Sequence, residues 1–447
     1  MSRDCEDGRA TGQSQGVGPE AYLNGTSQGP TPEDAREDGQ IRSRSKRLME
    51  HPGSEAPVHT IQLKKNEERR ILAGHSWIFS NEIHDSLQGL EPGQPVRLVS
   101  WGGRFLGIGH LSPNSLIAVR LLSRRELEID GPFYRQRLVA ADERRKWLYP
   151  GSSTYRLAFG EADLLPGLIV DRYDRHLVVQ TLTQGMARIE ELIVELLREI
   201  FEPASIVLRN DSPVRNLEGL LLERRVAYGE VPEPLVIELH GLRFQVAPIE
   251  GQKTGFYLDQ RENRPVLQGL VQGSRVLDAC CYEGAWGLYA ARFGAREVVG
   301  VDVSGTALER ARMNAEMNGL GARCRFVEQN VFDFLTTSQE RFEAVVLDPP
   351  AFIKSKAKIE EGERGYLELN RLAMRLISPG GLLVTCSCSH HLTRDRFQTL
   401  LGHAARLAKR RLRLLEVRGQ SRDHPVLMSM PETSYLKCFV LEVLRLE

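Results

Sequence analysis

The sequence predicts an α/β chain. A doubly wound parallel sheet occupies its C-terminal part, preceded by an α+β stretch and a β-rich stretch. Three observations lead there. From about residue 246, short apolar runs alternate with segments of helical period. Two of those runs end in chemistry-bearing turns, Ala344-Val-Val-Leu-Asp348-Pro-Pro-Ala-Phe352 and Gly380-Gly-Leu-Leu-Val-Thr-Cys386-Ser-Cys388-Ser389. Residues 57–126 show no helical period, only short runs between tight turns.

Residues 1–55 are rich in Gly, Ser, Asp, Glu and Pro and poor in aromatics, which predicts a disordered tail. Its cluster Arg42, Arg44, Lys46, Arg47 reads as a solvated charge run. In residues 56–127, Val58–Leu63, Gln94–Val99, Phe105–His110 and Leu116–Leu122 read as strands, with turns at Pro92-Gly93 and Gly102-Gly103. Residues 128–245 form a middle α+β domain. It has a charged helix over 130–147 and a strand pair Leu168–Asp171 and His176–Leu182. A helix Ala187–Phe201 and strands Ser205–Leu208, Glu218–Glu223 and Leu235–His240 follow. In residues 246–447 the strands are Arg275–Ala279, Glu297–Asp302, Cys324–Gln329, Ala344–Asp348 and Leu382–Cys386. The helices are Gly284–Phe293, Gly305–Asn318, Tyr366–Ile377 and Arg394–Ala408. Arg413–Val417 and Lys437–Leu446 close the sheet as a hairpin with one antiparallel edge strand. A ligand is expected across the C-terminal strand ends, near the switch point.

A chain of 447 residues has room for two or three domains. Hydrophobic content of 41% and charged content of 26% are those of a globular protein, and 59 basic against 59 acidic residues leave no net charge to coat a polyanion. No apolar run is long enough to span a membrane, and the polar N-terminus is not a secretory signal; a cytoplasmic location is expected. Seven cysteines, without a CxxC pair, read as reduced thiols and give no metal site.

The first strand of the parallel sheet runs into Asp278-Ala-Cys-Cys-Tyr-Glu-Gly284-Ala-Trp-Gly287, where Gly284 permits close backbone approach before a helix. The second ends at Asp302, which can accept from ribose hydroxyls or cap the next helix. The third ends at Asn330, which can meet an adenine edge. Three polar strand ends in series point to an adenosine-containing cofactor.

In this order of loop, acid, Asp-Pro-Pro and thiol strand, the chain resembles a Rossmann-like S-adenosylmethionine-dependent methyltransferase. Gly251-Gln-Lys-Thr-Gly-Phe-Tyr-Leu-Asp-Gln-Arg261 is similar to the RlmI family of 23S rRNA cytosine-C5 methyltransferases. Leu63-Lys-Lys and Ala73-Gly-His-Ser-Trp-Ile-Phe-Ser-Asn81 resemble its PUA domain, and Gly160–Tyr173 its middle domain. The resemblance implies that Lys253, Tyr257, Gln260 and Arg261 border the cofactor pocket. It places Asp278 and Gly284 in the first cofactor loop, Asp302 at the ribose, Asn330 at the adenine and Asp348 where cofactor and target base meet. Two departures stand out. Glu283-Gly-Ala285 replaces a Thr-Gly-Gly, which puts a charge near the methionine end, and Asn330 stands where an Asp is usual.

The family motif makes Cys388 the nucleophile, with Asp348 as the acid that hydrogen-bonds the ring. Cys386, two residues away in a continuing strand, would face the same side. Either thiol could instead be a small buried hydrophobe. Cys280 and Cys281 read as packing residues, His390 and His391 as proton-transfer or surface residues. Pro349 and Pro350 fix the turn and aim Phe352 at the base. Lys64, Lys65, Arg69, Arg70 and His75, with Trp77 and Phe79 interleaved, have the composition of an RNA groove. Arg406, Lys409, Arg410, Arg411 and Arg413 form a second basic patch. Large-subunit ribosomal RNA is the expected partner, without metal or membrane; a homodimer is left open. The alternatives are an rRNA guanine-N methyltransferase using the Asp-Pro-Pro-Ala-Phe turn without a thiol, and a noncatalytic RNA-binding assembly factor.

Overall fold

The computed structural model describes residues 58–446, so the expected tail over 1–55, its basic cluster and Cys5 lie outside the described residues. The first sheet holds β1 (Thr60–Gln62), β2 (Trp77–Phe79), β3 (Pro95–Val99), β4 (Phe105–Leu111) and β5 (Ile117–Ser123) in the order β1-β3-β4-β5-β2. Register shifts interrupt three of its ladders, and such bulges curl a sheet onto its own core. Ile61, Leu63, Ile78, Val96, Leu98 and Val119 fill that core.

The second sheet is ordered β10-β9-β8-β7-β6, from β6 (Thr154–Phe159), β7 (Leu168–Tyr173), β8 (His176–Thr181), β9 (Ser205–Asn210) and β10 (Glu223–Gly229). Helix Gly131–Leu148 packs on it, started by the Asp130 carboxylate, which accepts from the Phe133 N–H at 3.0 Å. Two sequence expectations change here. Glu218–Glu223 is not a strand: Pro213–Glu218 is a 3-10 turn, and the strand starts at Glu223. The helix expected over 187–201 begins at Gln184 and breaks near Ile189 into Gln184–Arg188 and Glu190–Phe201.

The hairpin β11 (Leu235–Leu239) and β12 (Leu242–Val246) packs between two layers. Ile237, Leu239 and Phe244 meet Tyr173, Val178 and Val207 of the middle sheet and Leu288 and Tyr289 of the C-terminal part.

The third sheet has seven strands in the order β15-β14-β13-β16-β17-β19-β18. They are β13 (Arg275–Ala279), β14 (Glu297–Asp302), β15 (Cys324–Glu328), β16 (Phe342–Leu347), β17 (Ile377–Ser387), β18 (Arg410–Arg418) and β19 (Lys437–Arg445). β13 to β17 pair in parallel and are apolar on both faces (Val276 and Leu277, Val298 and Val299, Val345 and Val346), because helices cover both sides. The chain order reverses direction between β13 and β16, which puts the switch point there. The antiparallel strand is β19, second from the edge, not the edge strand itself; the edge strand β18 pairs only with β19. The helix expected over 366–377 starts earlier, at Ile359, and Ile377 already opens β17. Helix Val331–Thr337 and strands β6 and β12 were too short or too polar in pattern to be read from the sequence.

Middle and C-terminal layers are joined by buried charge. The fully buried Arg145 gives Nη1 and Nη2 to the Asp163 carboxylate at 2.5 and 2.6 Å, Nε to the Arg156 carbonyl at 2.7 Å and Nη2 to the Asp423 carbonyl at 2.6 Å. Removing one member strands the other's charge in a low dielectric. Arg145→Met is therefore expected to lower stability by about 3–5 kcal/mol in urea unfolding. Arg145→Met combined with Asp163→Leu should recover most of that loss, because no unpaired charge is left.

A candidate active site at the ends of the parallel strands

The site forms around Asp348, the residue after β16, beside the switch point. Gln260 Nε2 lies 3.0 Å from both carboxylate oxygens, and the Trp286 indole N–H donates to one of them at 3.1 Å. Asn263 Nδ2 donates to Gln260 Oε1 at 2.6 Å and so sets the amide's orientation. Desolvation raises the Asp348 pKa, against the Trp286 bond, which favours the ionised form.

Asp278, at the end of β13, is buried; Oδ2 accepts from the Gly287 N–H at 2.7 Å and Oδ1 has no hydrogen-bond partner among the described residues. Burial pushes its pKa up to about 7, against that N–H bond. The loop after it coils tightly: Cys280, Tyr282 and Gly284 have φ of +63°, +49° and +78°. Two non-glycine residues in the left-handed region mark stored strain. Gly284 is needed for more than its φ, since a Cβ would meet Ala311 and the Phe326 ring at 3.1 Å. This closeness is to the neighbouring helix and strand, a packing requirement that the sequence reading did not include.

Asp302 is not the cap of the following helix; Ser304 is, accepting from the Ala307 N–H. Asp302 instead takes the Tyr282 N–H at 2.9 Å and the Ser304 N–H at 3.0 Å, one on each oxygen, which ties the first loop to the second strand end. Asn330 is exposed, and its Oδ1 caps helix Val331–Thr337 through the Phe332 N–H. Glu283 does not point its charge into the pocket. It is buried and paired with Arg310 at 3.2 Å, and burial raises its pKa to about 7 against that guanidinium.

The thiols separate cleanly. Cys386 lies within β17 opposite Cys438 of β19, fully buried among Val384 and Val440. β17 ends at Ser387, so Cys388 lies beyond the last ladder pair and is partly exposed. Burial raises the Cys388 pKa, while the Lys253 ammonium pulls it down. Lys437 pairs in register with Ser387 and donates Nζ to the Ser389 carbonyl at 2.6 Å, bracketing Cys388. Burial lowers the Lys437 pKa to about 8, opposed by the Cys388 thiol.

Lys253 stands 4.3 Å from the Tyr257 ring centroid and pairs with Asp259 at 2.9 Å; Tyr435 donates its hydroxyl to the same carboxylate at 2.8 Å. Arg261 is not brought to Asp348: it is buried, donates to the Thr154 carbonyl at 2.6 Å and lies over Tyr149 at 3.9 Å. Pro349 is buried, and the Phe352 ring packs on Tyr366 at 4.6 Å.

On the β-rich domain, Lys64, Lys65 and Arg69 are exposed. Arg70 is bonded to Glu82 at 2.8 Å and stacked on Phe79, Trp77 donates Nε1 to Glu161 at 2.8 Å, and His75 lies 3.4 Å from Glu432. These last three secure the sheet and its contacts with later parts of the chain. In the second basic patch Arg410 holds the Met374 and Ile377 carbonyls, and Arg413 pairs with Glu442.

Sequence reasoning missed Trp286, Asp259, Arg264, Tyr435 and Lys437. Trp286 sits in the first turn of the helix that Gly284 opens and was the most findable; Tyr435 lies in the irregular connection 419–436, which carries no period.

The comparisons with known proteins agree with this layout. Residues 61–124 match a PUA-like domain and residues 225–426 an S-adenosylmethionine-dependent methyltransferase. The chain is 40% identical over 395 residues to ribosomal RNA large subunit methyltransferase I of Tolumonas auensis, covering 86% of this chain and 99% of the relative. It is 41% identical over 391 residues to the protein of the same name from Aeromonas hydrophila, covering 86% and 98%. Among solved structures, a chain assigned as a SAM-dependent methyltransferase from Streptococcus mutans shares the fold. Its TM-score is 0.74 at 21% identity, over 86% of this chain and all of that one. A methyltransferase structure complexed with SAH superposes with a TM-score of 0.75 at 22% identity, over the same shares.

S-adenosylmethionine is the cofactor of this methyltransferase domain, and the residues present fit it. Buried Asp278 Oδ1 is an acceptor without a donor, and Arg264, also buried, has Nε and Nη1 without acceptors. Unpaired groups of both signs suit the ammonium and carboxylate of an amino-acid moiety.

The raised Asp278 pKa gives a test in the cofactor-free protein. Between the unfolded value near 3.8 and the folded value of about 7, the folded state holds the extra proton, so stability falls as pH rises through that window. Asp278→Asn should flatten the decline, whose slope from this group is at most about 1.4 kcal/mol per pH unit, in urea unfolding from pH 4 to 8.

Proposed function

We propose, from the premise that this chain belongs to the ribosomal RNA large subunit methyltransferase I family, that it methylates carbon 5 of a cytosine in 23S rRNA in the cytoplasm, through a covalent bond from Cys388. The observation that carries this reading is a thiol just past the end of β17 beside a carboxylate just past the end of the neighbouring β16, whose pKa desolvation raises. When bound, S-adenosylmethionine supplies an electrophilic methyl group to the activated ring carbon.

Carbon 5 of cytosine is a weak nucleophile. The Cys388 thiol loses its proton to solvent, the thiolate adds to carbon 6, and the displaced π electrons run through the ring to N3. Asp348, whose pKa desolvation raises, acts in its acid form: it gives its proton to N3 and leaves an enamine with density at carbon 5. After methylation the carbon 5 proton leaves to a base, the 5,6 double bond re-forms as the thiolate departs, and N3 returns its proton to Asp348. Lys253 and Lys437 favour the thiolate, by about a factor set by their distance and the local dielectric. Gln260 and Trp286 hold Asp348 in place.

For the cofactor, Asp278 is assigned the ammonium, Arg264 the carboxylate and Asp302 the ribose hydroxyls, with Gly284 shaping the loop and Asn330 flanking the adenine. Lys253, Tyr257 and Gln260 close the pocket toward the substrate. Lys64, Lys65 and Arg69 are the exposed cations available to RNA phosphates.

Large-subunit RNA carrying 5-fluorocytosine should trap the protein, because fluorine at carbon 5 cannot leave as a proton. A denaturant-stable protein–RNA band is expected with the natural chain and with Cys386→Ala, and none with Cys388→Ala. Methyl transfer to a guanine nitrogen with no trapped band would replace this reading with thiol-free chemistry at the Asp-Pro-Pro-Ala-Phe turn.

A further inference from the structure

Next to the Asp348 and Cys388 pocket, and lined by neither residue, lies a cleft of about 460 Å³. Its size is in the range of about 300–1,000 Å³ usual for small-ligand sites. One wall is the middle sheet, through Arg156, Gln180 and Arg209; the other is the segment carrying Lys253 and Asp259.

A chain of rings runs along it. Phe159 lies 5.2 Å from His424 and 6.1 Å from Tyr435, and Tyr435 lies 5.6 Å from His390. His390 is exposed and only two residues from Cys388, so the chain of rings leads from the middle sheet to the nucleophile.

The charges are cancelled locally. Arg156 pairs with Asp171 at 2.5 Å, Arg209 with Asp211 at 3.1 Å and Lys253 with Asp259 at 2.9 Å. A site with rings and hydrogen-bonding groups but no unpaired cation suits a planar, uncharged heterocycle better than a phosphate. Cys388 and Asp348 are outside its lining, so a base seated in the cleft touches neither of them.

We propose that this cleft holds a second base, adjacent in the RNA strand to the methylated nucleotide, stacked on the Phe159, Tyr435 and His390 rings. The proposal rests on the RNA-methylation reading above. Holding a neighbour explains how a flipped nucleotide could be presented without the enzyme gripping the target base alone.

The test uses the full-length protein and RNA fragments centred on the methylated nucleotide, first located by mass spectrometry of large-subunit RNA treated with the protein and S-adenosylmethionine. The fragments are intact or carry an abasic ribose at the 5′ or the 3′ neighbour. Fluorescence anisotropy gives the affinity of the natural chain, of Phe159→Leu and of His390→Ala. An abasic ribose on one side should weaken binding by about tenfold. Each variant should weaken intact RNA similarly and lose little more on the abasic RNA. Abasic neighbours bound within twofold of intact RNA, or losses that multiply, overturn the proposal. His390→Ala alters an exposed ring, so a folding defect in Phe159→Leu does not block the test. Fluorocytosine trapping is scored in parallel. Coupling without trapping overturns the covalent reading and leaves the cleft assignment standing, while trapping without coupling overturns only the cleft assignment.

Discussion

The structure depends on a buried ionic junction between the middle sheet and the C-terminal sheet. Asp423 accepts the Arg156 backbone N–H at 3.0 Å and sits 2.8 Å from His424 Nδ1, while its carbonyl takes Arg145. Arg156 in turn holds Asp171, which also takes the Thr254 hydroxyl. The Tyr173 hydroxyl accepts the Phe256 N–H at 3.1 Å. Thr254 and Phe256 flank the residues that line the site, and the connection 419–436 delivers Tyr435. The junction therefore fixes where Lys253, Asp259 and Gln260 stand, and through Gln260 it fixes Asp348. Ion pairs buried this deeply add little net stability compared with apolar packing, but a missing partner is costly, which makes the geometry hard to change.

The pocket itself follows the opposite logic. Asp278 and Asp348 are carboxylates whose pKa values burial raises, and Asp278 Oδ1 and two Arg264 nitrogens lack partners. A folded protein normally satisfies more than nine-tenths of such groups. Leaving several open in one place destabilises the cofactor-free state and makes the binding of a zwitterion correspondingly favourable. Glu283, the one unfamiliar charge in the first loop, is only half resolved: Arg310 takes Oε1, while Oε2 is buried without a hydrogen-bond partner among the described residues.

Much of this layout was legible in the sequence. β13 and β14 have the expected bounds, since a strand buried on both faces is a continuous apolar run cut off by polar turn residues. Asp278, Asp302 and Asp348 were readable as residues at strand ends because strand ends are where a doubly wound sheet exposes side chains. What the sequence hid depends on pairing across distance. No local pattern says that Gln260 reaches Asp348, that Arg261 turns to Thr154, that Arg70 is spent on Glu82 inside the β-rich domain, or that Trp77 ties that domain to Glu161. The order β17-β19-β18 was missed for the same reason. A long irregular connection lets the last strand insert between two earlier ones, and a hairpin reading assumes a short turn.

Cys386 and Cys388 are identical in chemistry and two residues apart, yet the fold gives them opposite environments. A ladder that continued one more pair would put both thiols on the same face of β17, buried against β19. It stops at Ser387, where Lys437 closes the pairing and reaches past the strand end to the Ser389 carbonyl. That single bond places an ammonium beside Cys388 and none beside Cys386, whose nearest cross-strand neighbour is the thiol of Cys438. Burial raises both thiol pKa values, but only Cys388 has amines near it that pull its value back down. In the proposed covalent reading, the end of the sheet decides which thiol can react, and the lysine that ends it also supplies the charge that reading needs.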